Sequence, residues 1–208
     1  MFNKDVETFY KASIISLFAA IIIAGFSFMM GKENLFLLLN INLGTIGDFV
    51  FNYITYLADG VVWAIFIIVV FIKRKRYLIL SITTLLISTI ISQGIKRYVF
   101  PVALRPTAGI KDISKIHTIP NVLVHEVGSF PSGHTTQIFA MFLLLCIFFN
   151  NKKMLWLGFI VALLVAYSRV YQAQHFPIDV AGGIVAALIS VWLSMLIHNK
   201  RVKSFTIL

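Results

Sequence analysis

The sequence predicts an all-α membrane protein, a bundle of six membrane-spanning helices that forms one domain over residues 1–208. Composition is the first reason: 59% of the residues are apolar and 12% are charged, with a mean hydropathy of +0.91. A soluble domain carries about a quarter charged residues. The second reason is that the apolar residues fall into long stretches, and the third is that basic residues fill the short connectors between them.

Six stretches approach the length of about 20 apolar residues that a helix needs to cross a bilayer. They are residues 12–30, 49–72, 77–95, 133–149, 154–171 and 180–197. The first is too long for a cleaved signal peptide and no small-residue cleavage site follows it, so we expect it to be retained. The second is interrupted by Asp59 and Gly60. Its first part could instead lie at the membrane interface, with a shorter span following.

Polar or turn-forming residues delimit the later spans. The third ends before Lys96 and Arg97, the fourth begins at a Pro-Ser-Gly-His turn, and a polar segment over residues 167–179 links the fifth to the sixth. Residues 34–41 are apolar but too short to span, which favours a position along the membrane surface. No repeat, low-complexity tract or linker divides the chain, so one bundle is the simplest architecture.

Short basic connectors are predicted to face the cytoplasm, because positively charged loops are retained there. With six spans, both termini then face the cytoplasm too, which agrees with Lys4 and Lys11 before the first span. The connectors follow the second, fourth and sixth spans and contain residues 73–76, Lys152, Lys153, Lys200, Arg201 and Lys203.

A second group of cations lies on the outer side in this topology, against the usual bias. They could be solvated loop charges, or they could bind an anion at the outer membrane face. Nucleic acid is a poor candidate for that anion, because no soluble basic domain is present to hold it. The group comprises Lys32, Lys96, Arg97, Arg105, Lys111, Lys115 and Arg169.

The turn that opens the fourth span has the features of an anion site. Ser132 can cap the following helix, and the free N–H groups of a helix start attract negative charge. Gly133 would let a ligand approach the backbone closely, and His134 falls in the first turn. An ordinary helix cap with a single histidine is the alternative interpretation.

The segment before the sixth span supplies a second histidine. His175 and Asp179 are four residues apart and would share a helix face if the sixth helix starts nearby, where Pro177 suits a first turn. A carboxylate beside an imidazole fixes its tautomer, which makes His175 a candidate nucleophile or base. Arg169, at the end of the fifth span, has donors that suit a phosphate, although a charge there could also only snorkel.

A zinc site built from His134, His175 and Asp179 is the competing interpretation. The paired-histidine spacings typical of zinc are absent and arginines crowd the same region, so we predict no metal and no cofactor. The single cysteine, Cys146, lies in an apolar stretch and is predicted to be a packing residue.

At these residues the sequence resembles the type 2 phosphatidic acid phosphatase superfamily of integral membrane lipid phosphatases. The second motif of that family, Pro-Ser-Gly-His, stands intact at residues 131–134. The third motif is Ser-Arg, five residues, His, three residues and Asp, and it stands at Ser168, Arg169, His175 and Asp179. The first motif is Lys, six residues and Arg-Pro.

The first motif departs from the family pattern. Arg105 is followed by Pro106 as expected, but eight residues separate it from Lys96 and seven separate it from Arg97. Either cation could therefore fill the lysine's place. The family pattern starts with Lys, which favours Lys96 and predicts a bulge within residues 98–104, where Pro101 would interrupt a helix.

The resemblance implies a mechanism. The third-motif histidine, His175, would attack phosphorus and form a phosphohistidine, with Asp179 supporting it. The second-motif histidine, His134, would protonate the leaving oxygen, and no metal would be required. The phosphate would be held by Lys96 or Arg97, Arg105, Ser132, Gly133 and Arg169.

These implications lead to the predicted function. The chain would be a single phosphatase domain in a bacterial cytoplasmic membrane, hydrolysing a lipid phosphate at the periplasmic or outer face. Undecaprenyl diphosphate is the favoured substrate over phosphatidate, phosphatidylglycerol phosphate and lipid A. A lipid-to-lipid phosphotransferase and a non-enzymatic anion or lipid transporter are the alternatives. Partners are the substrate lipid and the bilayer, with no nucleic acid and no obligate protein partner.

Four polar residues match no motif. His117, His125 and Glu126 are predicted to be solvated in the long outer loop. Asp59 is expected to pair with Lys96 or Arg97, or to cap the second span, because an acid near the membrane is unusual enough to suggest a function.

Overall fold

The computed structural model describes residues 7–205, with side chains for residues 7–199. Lys4 and the side chains of Lys200, Arg201 and Lys203, which entered the sidedness prediction, lie outside this description. Regular structure within residues 7–205 is helical, apart from one isolated antiparallel bridge between Leu104 and Val127. The predicted all-α class is confirmed.

Nine α-helices follow one another along the described chain, and short 3₁₀ turns occupy Thr55–Ala58, Lys75–Tyr77 and Ile113–Lys115. A π-helical turn, Ile95–Val99, extends the fifth helix. The helices are α1 Glu7–Met30, α2 Lys32–Leu39, α3 Gly44–Ile54, α4 Gly60–Lys73, α5 Leu78–Gly94, α6 Pro106–Gly109, α7 Gly133–Phe149, α8 Lys152–Tyr171 and α9 Pro177–Phe205.

Four helical segments in the described chain are long and apolar enough to cross a membrane, as expected of a multi-pass membrane protein. The helix α2 and the segment Gly44–Ala58, which is α3 with its 3₁₀ turn, are bent by 115° and make a fifth candidate if they count as one span. The helices α4 and α7, which correspond to the second and fourth predicted spans, are apolar but have 14 and 17 residues. At 1.5 Å per residue, α4 is about 21 Å long, shorter than the roughly 30 Å hydrocarbon core.

The second predicted span is not one continuous helix. Asp59 has an extended backbone (φ −79°, ψ 159°) that separates the 3₁₀ turn after α3 from the start of α4 at Gly60. The break predicted at Asp59 and Gly60 is therefore present. Within residues 34–41, which are predicted to lie along the membrane surface, Leu35 and Phe36 are buried against the protein, whereas Leu38 and Ile41 are exposed.

The start of α7 and the start of α9 are packed together through glycines. A Cβ atom added at Gly183 would lie 2.7 Å from the Ser132 carbonyl oxygen, and one at Gly182 would lie 2.4 Å from the Phe130 ring. Only residues without a side chain allow this approach, so α9 can bring its first turn against the Pro-Ser-Gly-His turn. Cys146, further along α7, is a buried free thiol, as expected of a packing residue.

Candidate active site

The three polar stretches singled out in the sequence meet at one end of the bundle. His175 lies within electrostatic range of Lys96, Arg105 and Arg169, which come from three separate parts of the chain. The charges of the same three cations, and His175, also act on His134. The two histidines therefore share one cationic environment.

His175 lies beside Asp179, but not by the predicted route. The helix α9 begins at Pro177, so His175 precedes the helix and does not share a face with Asp179. The chain turns there because the Asp179 carboxylate accepts the Phe176 N–H at 2.9 Å. Asp179 is the third residue of α9, and its side chain bonds to the N-cap N–H as in a capping box. That turn brings His175 Nδ1 to 3.5 Å from Asp179 Oδ2.

The same carboxylate oxygen also accepts a hydrogen bond from the Ser129 hydroxyl. Asp179 is thus held by the loop before α7 as well as by its own helix start. The 3.5 Å separation from His175 Nδ1 is longer than an ordinary hydrogen bond, and this buried nitrogen has no partner within hydrogen-bond geometry. A small movement of the imidazole would close the contact.

Burial lowers the pKa of His175 well below its usual value, and the charges of Lys96, Arg105 and Arg169 lower it further. The side chain is 2% exposed. The imidazole is therefore neutral at pH 7 and carries its proton on one nitrogen. If Nδ1 carries it, facing Asp179, the lone pair on Nε2 is free to attack an electrophile.

The Pro-Ser-Gly-His turn forms a capped helix start, as predicted for Ser132. Its hydroxyl oxygen accepts the Thr135 N–H at 3.4 Å and the Thr135 hydroxyl at 2.9 Å. The Ser132 N–H donates to the Asp179 carbonyl oxygen at 2.9 Å, which ties the start of α7 to α9. Gly133 follows in the first turn, and added atoms at its Cβ position would meet nothing within 4 Å.

Arg105 and Arg169 are both buried, with 8% exposure each. Arg105 donates to the carbonyl oxygens of Val127 and Gln174 and to the Gln174 side chain, and Arg169 donates to Thr55 Oγ1 and Gln172 Oε1. All of these acceptors are neutral. Among the described side chains neither arginine forms an ion pair, and Arg169 Nε has no hydrogen-bond partner.

Two buried guanidinium groups without carboxylate partners carry a large desolvation penalty, which an anion would relieve. Asp179 interacts with Arg105 and Asp59 with Arg169 only at longer range. Burial lowers the pKa of Arg105, but the group remains a cation at neutral pH. The site is therefore preorganised for negative charge.

Lys96 and Arg97 have different surroundings. Both lie in the π-helical turn, where Lys96 is half-buried and interacts with Arg105, Asp179 and Arg169, whereas Arg97 is exposed. The wider backbone turn is at Ile95–Val99, which starts before the predicted bulge over residues 98–104. These positions favour Lys96 as the inward-facing cation.

Two polar cavities open beside this cluster. One, of about 470 Å³, is lined by His134, Arg169 and Thr55 among others. The other, of about 580 Å³, is lined by Lys96, Arg97 and Arg105 among others, and His125 lines both. Within the described residues, no group of three or more His, Cys, Asp or Glu side chains is placed to hold a metal ion.

Asp59 has a partner that the sequence did not reveal. Its Oδ1 lies 3.1 Å from His134 Nε2, and its side chain makes no cap hydrogen bond to α4. The predicted pairing with Lys96 or Arg97 and the predicted cap of the second span are therefore both wrong. The 74 residues between the two positions in the sequence leave no spacing signal that could have identified the pair.

His117 is also placed differently from the prediction. It is not a solvated loop residue, because its side chain is 11% exposed and its Nε2 lies 2.8 Å from Asp48 Oδ1. Asp48 also accepts the Tyr171 hydroxyl at 2.7 Å, so this pair braces the outer loop against α3 and α8. His125 and Glu126 are exposed, as predicted.

Comparison with known proteins identifies the family. The family model described as the PAP2 superfamily matches residues 76–203, and the chain belongs to this superfamily. The matched region contains all three motifs, including the irregular first one. Its members include membrane phosphatases, and the helical architecture described above is found in a solved member.

That solved member is LpxE of Aquifex aeolicus, whose crystal structure superposes with a TM-score of 0.67 at 26% identity, covering 77% of this chain and 92% of the other. The undecaprenyl-diphosphatase BcrC of Bacillus subtilis is 38% identical over 74 residues, 35% of this chain and 37% of that protein. An undecaprenyl-diphosphatase of Sulfolobus acidocaldarius is 32% identical over 127 residues, 60% of this chain and 55% of its own length. The matches thus span less than two thirds of these two curated relatives.

Proposed function

We propose that the protein is a lipid phosphate phosphatase that works through a phosphohistidine on His175. One observation carries the proposal: Arg105 and Arg169 are buried without carboxylate partners, next to a neutral buried histidine that has a carboxylate at its other nitrogen. Such an arrangement binds a phosphoryl group and presents a nucleophile to it.

The proposed reaction has two steps. In the first, the His175 Nε2 lone pair forms a bond to phosphorus while the bond from phosphorus to the leaving oxygen breaks, and His134 gives that oxygen a proton. In the second, His134 takes a proton from water, the water oxygen attacks phosphorus, and the bond between nitrogen and phosphorus breaks. Inorganic phosphate is released and His175 is neutral again.

The phosphate is proposed to be held by the residues that the family motifs indicate. Lys96, Arg105 and Arg169 would offset the charge on its oxygens, and the free N–H groups at the start of α7, with Ser132 and Gly133, would donate hydrogen bonds. Arg97, being exposed, would act mainly by attracting anionic head groups to the site.

An apolar groove supports a lipid as the substrate. It has a volume of about 330 Å³, is lined by α1, α5 and α9, and reaches Phe130 and Ile178, which precede the Pro-Ser-Gly-His turn and Asp179. A hydrocarbon chain in this groove would place its phosphate near His175. Because the relatives BcrC and the Sulfolobus protein are undecaprenyl-diphosphatases, undecaprenyl diphosphate is the favoured substrate.

The proposed topology has six spans with both termini in the cytoplasm and the site at the outer face. It counts α1, α4, α5, α7, α8 and α9 as the spans, so that the short helices α4 and α7 stop below the membrane surface near the site. The basic connectors after α4 and α7 support this sidedness. The protein would be one phosphatase domain in a bacterial cytoplasmic membrane.

The experiment is to measure phosphate release by the purified protein in detergent from undecaprenyl diphosphate, phosphatidate, phosphatidylglycerol phosphate and lipid A. Release from at least one, with undecaprenyl diphosphate fastest, is the expected result. Appearance of the phosphate on a second lipid instead of in solution would indicate a phosphotransferase. No reaction with any of the four, in a folded sample, would contradict the proposal.

A further inference from the structure

We infer that Asp59 is a positioning residue for the reaction, holding His134 in the orientation and protonation state of the general acid. The inference rests on the proposed function. It assigns a role to a residue outside the three family motifs, at the break between the 3₁₀ turn after α3 and the start of α4.

The geometry around Asp59 is set for this contact. Its N–H donates to the Tyr56 carbonyl oxygen at 3.0 Å, and its own carbonyl oxygen accepts the Trp63 N–H at 3.2 Å, which fixes the backbone of the break. An N-cap aspartate normally bonds to the N–H groups of its helix, but this carboxylate makes no such bond. It points instead to His134 Nε2, 3.1 Å away.

The same 3₁₀ turn also positions an arginine of the site. The hydroxyl of Thr55, four residues before Asp59, accepts a hydrogen bond from Arg169 Nη1 at 2.7 Å. One short segment thus supports both a phosphate-binding group and the partner of the general acid. The helix break at Asp59 therefore positions residues of the site.

The electrostatics of His134 explain why a carboxylate is needed there. The charged and titratable groups around His134 are Arg169, His175, Lys96 and Arg105, and His125 lines the same cavity. Asp59 is the one acidic side chain in contact with it among the described residues. A general acid must hold a proton before it donates one, and burial, with the neighbouring cations, disfavours the imidazolium. Among the described residues, Asp59 is the one carboxylate within ion-pairing distance of His134, and we infer that it favours the protonated ring against those cations.

The contact also assigns the two nitrogens of His134. With Nε2–H donated to Asp59, Nδ1 is left to face the reacting oxygens. As imidazolium, His134 can give the Nδ1 proton to the leaving oxygen. As neutral imidazole with Nε2–H still held by Asp59, it has an Nδ1 lone pair that can accept a proton from water in the second step.

A role through the general acid predicts a dependence on the leaving group. Phosphatidate leaves an alkoxide, a strong base whose conjugate acid has a pKa near that of water, so it needs a proton. Diacylglycerol pyrophosphate, which has the same lipid part, leaves a phosphate monoester whose second pKa is about 6. The second leaving group departs as an anion and depends much less on His134.

The experiment compares Asp59→Asn with wild type on dioctanoyl phosphatidate and dioctanoylglycerol pyrophosphate, by phosphate release in detergent. We expect kcat/KM to fall roughly 10²-fold on the monoester, which is the low end for loss of a general acid. On the pyrophosphate, kcat/KM should fall only about tenfold. On whichever lipid is cleaved faster, the alkaline limb of the pH profile should move about one unit lower. Asp59→Glu should restore part of the activity.

The matched control is Asp48→Asn, which removes the carboxylate of the other aspartate–histidine pair, with His117, outside the reaction. It should lower thermal stability without moving the pH profile or the ratio between the two lipids. Equal losses on both lipids with an unmoved alkaline limb in Asp59→Asn would overturn the inference. Absence of phosphate release by wild type from both of these lipids and from the four lipids tested for the proposed function would overturn the proposed function itself.

Discussion

Arg105 Nη1 lies 3.1 Å from the backbone oxygen of Gln174 and 2.7 Å from its side-chain Oε1. Gln174 immediately precedes His175, so the first-motif arginine holds the loop that carries the proposed nucleophile. Gln174 in turn donates its side-chain amide to the Leu123 carbonyl oxygen at 2.8 Å. The long outer loop, the arginine and the histidine loop therefore form one connected unit.

Arg105→Lys should lower kcat/KM by roughly 10²-fold, comparable to the loss of one transition-state donor. A lysine keeps the charge but is not a planar fork, so it cannot hold both Gln174 oxygens and also reach a phosphate. The measurement is phosphate release in detergent. Arg74→Lys, on the opposite side in the proposed topology, is the control and should behave as wild type, and wild-type kinetics of Arg105→Lys would refute this role.

The adjacent cations of the first motif give a matched pair. Lys96→Ala should cost about 2–4 kcal/mol of transition-state stabilisation if this half-buried lysine contacts the phosphoryl group. Arg97→Ala should cost much less, because Arg97 is exposed. Both values come from kcat/KM on the same detergent-solubilised lipid, and a larger loss from Arg97→Ala would reverse the assignment.

Activity is expected to survive chelation. The proposed phosphate site is built from guanidinium, ammonium and N–H groups, which perform the charge stabilisation that metal ions perform in other phosphoryl-transfer enzymes. Phosphate release should be unchanged by EDTA and inhibited by vanadate, which mimics five-coordinate phosphorus. Inactivation by EDTA that a divalent ion reverses would favour the zinc interpretation of the two histidines.

The sidedness can be tested with two exposed lysines replaced by cysteine in a Cys146→Ala background. Lys111→Cys lies in the long loop with Arg105, and Lys152→Cys begins α8. An impermeant thiol reagent should label Lys111→Cys in intact spheroplasts and should label Lys152→Cys only after lysis. The opposite pattern would place the site in the cytoplasm.

The local parts of the site could be predicted from the sequence because each is encoded within a few residues. The helix cap at Ser132 is a short-range signal of this kind. The four-residue spacing of His175 and Asp179 also predicted their proximity, although the turn at Pro177 places His175 before the helix. The break at Asp59 and Gly60 was also recognisable from an acid and a glycine in an apolar stretch.

What the sequence did not predict depends on packing between distant segments. The contact of Asp59 with His134 and that of Asp48 with His117 arise from the way α3 and its 3₁₀ turn meet the outer loop and α7. No periodicity specifies such contacts. The choice of Lys96 over Arg97 likewise depends on the π-helical turn, which rotates one side chain inward and leaves the other exposed.

The central claim is that His175 carries the phosphoryl group, and trapping that intermediate tests it most directly. Wild-type protein would be mixed rapidly with a lipid radiolabelled in its transferred phosphate, quenched in alkali, in which phosphohistidine is stable, and digested. We predict label on the peptide that contains His175, no label in His175→Ala, and a loss of turnover in that variant of at least about 10²–10⁴-fold. Near-normal phosphate release by folded His175→Ala, or label on another residue, would contradict the account.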